Sequence, residues 1–318
     1  LTVLGCGTLG TAILAGVLDS LSTSSSSASS PAADDKDSSQ RVPTNFIACV
    51  RSPKAVQRIQ HTVAKYDKRY KVATLQNQNV KGVKSADVVI LGCKPYMVSG
   101  ILGADRMREA LAGKLLISIC AGVTGEQIEE ILSHPDGDTN SSSRTAPPCR
   151  VVRAMPNTAA IVRESMTVIA DPTTPLSDEH AALVDWIFSQ IGRVVHLPPA
   201  NMDVSTALCG SGPAFLALVL DGLADGALAM GLPRAEAQLM AAQAMRGAAA
   251  LALTGEHPAI IRDKISTPGG CTIGGLLVLE EAAVRGTVAR AIREATEVAS
   301  ELGTGRKGVN GTRAATRR

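Results

Sequence analysis

Thr2-Val3-Leu4-Gly5-Cys6-Gly7-Thr8-Leu9-Gly10 decides the fold. Thr2-Val3-Leu4 reads as a short buried strand, and Thr8–Asp19 reads as the helix that follows it. A G-x-G-x-x-G spacing alone carries little weight, but between a strand and a helix it is a dinucleotide fingerprint. Gly5 permits the tight turn, Gly7 lets the backbone approach a pyrophosphate, and Gly10 lets helix and strand pack closely. The helix N-terminus then offers free N–H groups to the phosphates. Cofactor contacts are therefore expected along Gly5, Cys6, Gly7, Thr8, Leu9 and Gly10.

Outward from this stretch the alternation continues. Asn45–Val50 is the second strand, and Pro53–Tyr66 the next helix. Asp87–Leu91, Leu115–Ile119, Val151–Ala154, Met166–Ile169 and Val194–Leu197 read as strands, Gly125–Leu132 and Asp178–Gln190 as helices. The apolar runs suit a sheet buried on both faces. The fold class is α/β, with a mostly parallel sheet and helices on both sides. Ser20–Gln40 holds ten serines and the cluster Asp34-Asp35-Lys36-Asp37. It buries too little apolar surface to order itself and is expected to be a disordered insertion. His134–Pro148 is a second polar loop.

After Pro198-Pro199 the texture changes. Asn201–Cys209, Pro213–Met230, Pro233–Thr254, Pro258–Ile265, Thr272–Val284 and Thr287–Leu302 all read as helices, several with proline near their start. Residues 1–198 are expected to form the nucleotide-binding domain, with polar insertions at 20–43 and 134–149. Residues 199–303 form a helical domain, and 304–318 a mobile basic tail. Pro213–Met230 and Pro233–Thr254 are apolar around most of their circumference, which implies burial inside a domain or between subunits.

Bulk properties exclude several classes. The 318 residues are 45% hydrophobic and only 2% aromatic, so the core must come from Ala, Val, Leu and Ile. A net charge of +3 is too small for nucleic acid or an anionic membrane to be the main partner. Seven cysteines without a C-x-x-C pair argue against a disulfide framework and against a zinc site, and no metal is expected. They read as reduced cysteines of a cytoplasmic protein. No run of about 18 apolar residues is free of charge. Pro213–Leu232, which carries Asp221 and Asp225, reads as a buried soluble helix. The chain starts directly in a strand without a signal-peptide pattern, and because Leu1 is not an initiator Met a short N-terminal piece is expected to be missing.

The end of the second strand selects the cofactor. NAD sites favour Asp or Glu there, to bond the ribose hydroxyls. This chain has Val50-Arg51-Ser52. Arg51 can pair with a 2′-phosphate and Ser52 can donate to it, so NADPH is preferred, with NADH possible. Cys93-Lys94-Pro95 and Ala121-Gly122 follow later strands, at the carboxyl ends where open α/β sheets bind ligands.

Ser266-Thr267-Pro268-Gly269-Gly270-Cys271-Thr272-Ile273 suggests the substrate. The turn precedes a helix with Thr272 as a candidate N-cap, and its successive N–H groups make a nest for a small carboxylate. Gly210-Ser211-Gly212-Pro213 reads instead as a place of close helix packing. From Val204 to Glu256 there is no Lys and no His. Oxidising a hydroxyacid requires a positioned base. Reducing a C=N bond asks mainly that the substrate be oriented against a hydride.

Together these residues resemble the pyrroline-5-carboxylate reductase family from Val3 to about Leu302. The matching motifs are Ala86–Leu91 leading to Lys94-Pro95, Ser118-Ile119-Cys120-Ala121-Gly122-Val123-Thr124, Arg153-Ala154-Met155-Pro156-Asn157-Thr158, Gly210–Ala214 and Pro268–Ile273. The resemblance implies a Rossmann-type N-terminal domain and an all-helical C-terminal dimerisation domain with interleaved helices. It implies reduction of 1-pyrroline-5-carboxylate to L-proline with NAD(P)H, by a homodimer or higher homo-oligomer. It implies that Thr267, Gly269, Gly270, Cys271 and Thr272 hold the substrate, that Thr272 is the catalytic hydroxyl near the ring nitrogen, and that Asn79 contacts the cofactor ribose. Thr267 replaces the family's frequent Ser, Cys271 its Ala or Thr, and Gly92-Cys93 its Ala-Val. The alternatives are a related imine or β-hydroxyacid reductase, and a non-catalytic NADPH-binding scaffold in which the substrate loop would have decayed.

Overall fold

The computed structural model describes residues 1–26, 42–66, 70–133 and 147–302. Eight strands are β1 (Thr2–Leu4), β2 (Asn45–Val50), β3 (Lys71–Gln76), β4 (Val88–Leu91), β5 (Leu115–Ser118), β6 (Arg150–Met155), β7 (Ser165–Ala170) and β8 (Gly192–Leu197). They form one sheet in the order β3-β2-β1-β4-β5-β6-β7-β8. Among the described residues only the β6–β7 pairing is antiparallel. The order reverses between β1 and β4, where open α/β sheets leave a ligand crevice.

The helices among these strands are α1 (Thr8–Ser26), α2 (Pro53–Val63), α3 (Asn79–Lys84), α4 (Val98–Leu102), α5 (Met107–Leu111), α6 (Gly125–Ser133), α7 (Asp178–Ser189) and α8 (Met202–Ser205). Strand side chains alternate between two buried layers, as the period of two requires. Val3, Phe46, Ala48, Ile90 and Ile117 pack against Ile13, Val17 and Leu18 of α1 and Ile187 and Phe188 of α7. Leu4, Cys49, Val89, Leu91 and Leu116 pack against Val83, Leu102, Met107, Leu111 and Ile128 on the other face.

The structure departs from the sequence expectations at several points. α1 runs on to Ser26, so residues 20–26 of the expected insertion are helical. Leu21 is buried in the core, and the Ser22 and Thr23 hydroxyls donate to the Leu18 and Asp19 carbonyls at 2.8 Å, so these residues extend the helix. The rest of that insertion, most of the second polar loop and the tail lie outside the described residues. The sequence pattern did not disclose β3, α3, α4 or α5.

The chain divides into two compact units. The first contains Leu1–Gly210 with residues from Ala295 on, and the second is Ser211–Glu294. Between β8 and the second unit, α8 is followed by a single π-helical stretch, Thr206–Ser211. The second unit is built from α9 (Gly212–Ala229), α10 (Arg234–Leu253), α11 (Pro258–Ile265), α12 (Cys271–Glu281) and the greater part of α13 (Val284–Leu302). Its buried residues are few and small: Ala224, Ala237 and Ala241, with Ile261. A Cβ at Gly212 would meet nothing within 4 Å, so close packing at that glycine is absent within the single chain. Nor is α9 buried there: Leu218 is 75% exposed, and on α10 and α12 Leu239 is 71% and Val278 64% exposed. Pro199–Ala229 is long and apolar enough to cross a membrane by length and composition.

Candidate active site

The turn from β1 into α1 is tied down by its own backbone. The N–H groups of Gly5 and Cys6 both donate to the Cys49 carbonyl, at 3.1 and 3.0 Å, and Gly7 N–H donates to Gly5 O at 2.7 Å. Gly5 has φ +72°, and a Cβ there would stand 2.9 Å from the backbone of Cys93. A Cβ at Gly10 would stand 2.9 Å from Val3 Cγ1, the close helix–strand approach its place in the fingerprint implies. A Cβ at Gly7 would meet only Gly5 O, at 3.8 Å, so that glycine faces open space. The N–H groups of Thr8, Leu9 and Gly10 open a 19-residue helix and have no acceptor within it. This cradle fits a dinucleotide pyrophosphate. Cys6 is turned inward: its N–H is bonded to Cys49, its carbonyl accepts from Arg58 Nη2 at 3.0 Å, and burial pushes its thiol up to about 11.

The other expected cofactor residues line up along the same edge of the sheet. Arg51 and Ser52 follow β2, both exposed. Ser52 caps α2, its Oγ accepting from Ala55 N–H at 3.3 Å, which leaves its hydroxyl proton free to donate. Asn79, half-buried, begins α3 just after β3. Cys93, exposed Lys94 and Pro95 follow β4, with Lys94 as the extended cap of a short 3₁₀ turn. Ala121 and Gly122 follow β5, Gly122 with φ +73°. Each thus stands beyond a strand's carboxyl end, and the residues form one group although they are spread over more than a hundred positions.

Thr267 to Thr272 belong to the second unit. Gly269 has φ +69°, with open space where a Cβ would be. A Cβ at Gly270 would collide with Thr267 Oγ1, 2.4 Å away, and Gly270 N–H donates to Thr267 O at 3.0 Å. The turn is therefore closed on Thr267. The N-cap is Gly270, with φ −76° and ψ 167°, and α12 starts at Cys271. The expected cap at Thr272 moves back two residues, because the turn positions the extended residue at Gly270. Thr272, half-buried, lies in the first helical turn, where the N–H groups of Cys271, Thr272 and Ile273 lack intrahelical acceptors. Those donors suit a carboxylate.

Several supporting residues were given no role in the sequence, although Arg153 and Asn157 lie in one of the motifs that carry the resemblance. Thr11 donates its hydroxyl to Gly7 O at 2.6 Å and its N–H to the same oxygen at 3.0 Å. Its signal was its place four residues after Gly7. Arg58 braces Cys6 from α2 and gave no signal. Asn157 is buried, accepts from Ala159 N–H at 3.0 Å and donates to Cys209 O at 2.9 Å, joining the end of β6 to the π-helical stretch. Arg153 is buried on β6 with Nη2 unpartnered, and burial lowers its affinity for the proton against the opposing fields of Asp203 and Glu126. A charge inside the apolar run Val151–Met155 was its signal.

Residues 199–302 match the pyrroline-5-carboxylate reductase dimerisation family. Residues 1–122 match the family described as NADP oxidoreductase, coenzyme F420-dependent. The chain is 58% identical to pyrroline-5-carboxylate reductase of Lophium arboricola, over 98% of this chain and 96% of that one. It is 52% identical to pyrroline-5-carboxylate reductase of Neurospora crassa, again over 98% and 96%. Among solved structures, a pyrroline-5-carboxylate reductase from Coxiella burnetii matches with a TM-score of 0.72 and 25% identity, over 95% of this chain and 97% of that one. With identity sustained across both the nucleotide-binding sheet and the helical unit, the chain belongs to the pyrroline-5-carboxylate reductase family.

Proposed function

We propose that the chain reduces 1-pyrroline-5-carboxylate to L-proline, the last step of proline biosynthesis, with NAD(P)H as reductant. The observation that carries this reading is full-length likeness to two such reductases at 58% and 52% identity, with the Thr267–Thr272 loop intact. The nicotinamide supplies the hydride that adds to the imine carbon. Thr8, Leu9 and Gly10 hold the pyrophosphate through their N–H groups. Arg51 and Ser52 take the 2′-phosphate, which favours NADPH over NADH. Asn79 meets the ribose, and the backbone at Cys93-Lys94-Pro95 and Ala121-Gly122 lies along the cofactor. The amides of the Gly269–Thr272 turn hold the substrate carboxylate, and the Thr272 hydroxyl orients the ring nitrogen. An imine protonated from solvent is already electrophilic, so the site needs no dedicated base.

The dimerisation unit pairs with a second copy of the chain, its apolar helices interlocked and its substrate loop near the seam. Covering these helices by a second copy, rather than by lipid, accounts for Asp221 and Asp225 within α9. Seven free cysteines accord with a cytoplasmic enzyme. The test is NADPH oxidation followed with pyrroline-5-carboxylate and with a panel of ketoacids, and NADP+ reduction followed with the matching hydroxyacids. Turnover confined to the imine is expected. Faster turnover of a hydroxyacid–ketoacid pair would overturn the reading.

A further inference from the structure

Two cysteines meet at the centre of the cofactor edge. β4 and β5 run parallel with Leu91 opposite Ser118, so Cys93 and Cys120 stand opposite each other two residues beyond the paired segment. Their Sγ atoms are 4.0 Å apart. Neighbouring strands lie about 4.8 Å apart, within the Cα separation of about 4.4–6.8 Å that a disulfide spans.

The pair is chemically asymmetric. The hydrogen bond between the two thiols holds the Cys93 thiol below its usual range, and Cys93 is only half-buried. The same bond and burial push the Cys120 thiol up. Cys93 is thus the accessible nucleophile and Cys120 the buried resolving thiol. By contrast, burial raises Cys49 to about 12 and leaves it inert.

Its position connects the pair to binding. The backbone of Cys93 is the wall 2.9 Å from where a Gly5 side chain would begin, so Cys93 abuts the fingerprint turn. Cys120 directly precedes Ala121-Gly122. Drawing the two sulfurs together shifts both loops.

We propose that Cys93 and Cys120 form a reversible intrachain disulfide that weakens cofactor binding, an oxidation switch built into the nucleotide site. This rests on the cofactor reading above. The oxidant is hydrogen peroxide. The Cys93 thiolate attacks one peroxide oxygen, the O–O bond breaks, and hydroxide leaves as Cys93 becomes a sulfenic acid. The Cys120 sulfur then attacks the sulfenic sulfur. The S–S bond forms, and the displaced hydroxide takes the Cys120 proton and leaves as water. Two thiols lose two electrons, and one peroxide becomes two waters.

The test uses the intact enzyme treated with hydrogen peroxide, peptide mass spectrometry to locate the bond, and NADPH titration by fluorescence before and after. We expect a linked Cys93–Cys120 peptide, an NADPH affinity lowered by about tenfold, as for coupled sites, and recovery with dithiothreitol. By reciprocity, saturating NADPH must disfavour the disulfide by the same factor. Cys120→Ala, with Cys120→Val as a volume-matched second variant, should bind NADPH as the reduced wild type does and keep that affinity through peroxide treatment. An oxidised, linked enzyme with unchanged NADPH affinity overturns the switch alone, as does oxidation that never links these two peptides. A reduced wild-type enzyme that fails to bind NADPH overturns the cofactor reading, and the switch with it.

Discussion

Thr272 carries the sharpest expectation at the scale of single residues. Its hydroxyl lies in the first turn of α12, beside N–H groups that have no acceptor in the helix. Thr272→Val removes the hydroxyl at nearly constant shape. If that hydroxyl bonds the ring nitrogen, the variant should lose about 1.5–3 kcal/mol of transition-state stabilisation. The measurement is kcat/KM for pyrroline-5-carboxylate, with NADPH affinity as control. Wild-type turnover would remove Thr272 from the mechanism. Arg51→Ala probes cofactor choice. The side chain is exposed at the end of β2, so its loss should leave the fold intact while NADPH binding weakens by about 1.5–3 kcal/mol and NADH binding holds. An equal loss for both cofactors would place Arg51 outside the 2′-phosphate site. At this scale the glycines were the most legible residues, because a missing side chain answers to one steric demand. Gly5 and Gly10 show that demand as contacts a Cβ could not survive. Arg58 was illegible, since its partner is the carbonyl of Cys6, 52 residues away in sequence.

At the scale of elements, legibility followed burial. β1, β2, β4 and β5 sit between helical layers and read as plain apolar runs, and each was placed within a residue or two. β3, Lys71-Val72-Ala73-Thr74-Leu75-Gln76, is an edge strand without buried residues, as β8 is, but unlike β8 with Val194-Val195 it has no adjacent pair of β-branched residues to mark it. Its pattern mixes polar and apolar residues as a partly solvated edge does, so no period stood out. The short helices α3 to α5 span only five or six residues each, too few for a helical period to register. Helix packing in this layer supplies its own test. A Cβ at Gly16 in α1 would stand 2.5 Å from Ile191 Cγ2 and 3.0 Å from Gln190 O, the point where α7 gives way to β8. Ile191 is fully buried and cannot swing aside. Gly16→Ala gains roughly 0.5–1 kcal/mol in helix propensity, yet overpacking costs about 1–3 kcal/mol. A lowered midpoint in thermal unfolding is expected. A raised midpoint would show that propensity wins and that α1 can shift away from α7.

The whole molecule is decided by what its helical unit leaves uncovered. Within one chain, Leu218, Leu239, Leu277 and Val278 are all more than half exposed, as is Met240. Unshielded apolar surface on that scale marks an interaction face. The match of residues 199–302 to a dimerisation family supports another subunit as its occupant. Apolar composition around most of the circumference of α9 and α10 already required burial, but did not say whether the cover would come from the same chain. The hydrophobic pattern could not tell, because it records hydrophobicity and not its partner; only the family resemblance implied a second copy. We predict a homodimer or higher homo-oligomer with more than about 2,000 Å² buried in total, as obligate pairs show. Each buried square ångström of apolar surface contributes roughly 25 cal/mol, so the helices should not persist unpaired in water. Leu239→Glu would carry a carboxylate into that interface. Removing an unpaired charge from water costs several kcal/mol, enough to shift the species toward monomer in sedimentation at assay concentrations. Activity should fall with the dimer fraction if the Thr267–Thr272 loop needs the seam. A Leu239→Glu chain that sediments as monomer yet turns over at the wild-type rate would separate catalysis from assembly. A wild-type chain found monomeric and fully active would leave the exposed leucines of α9, α10 and α12 without a physical account.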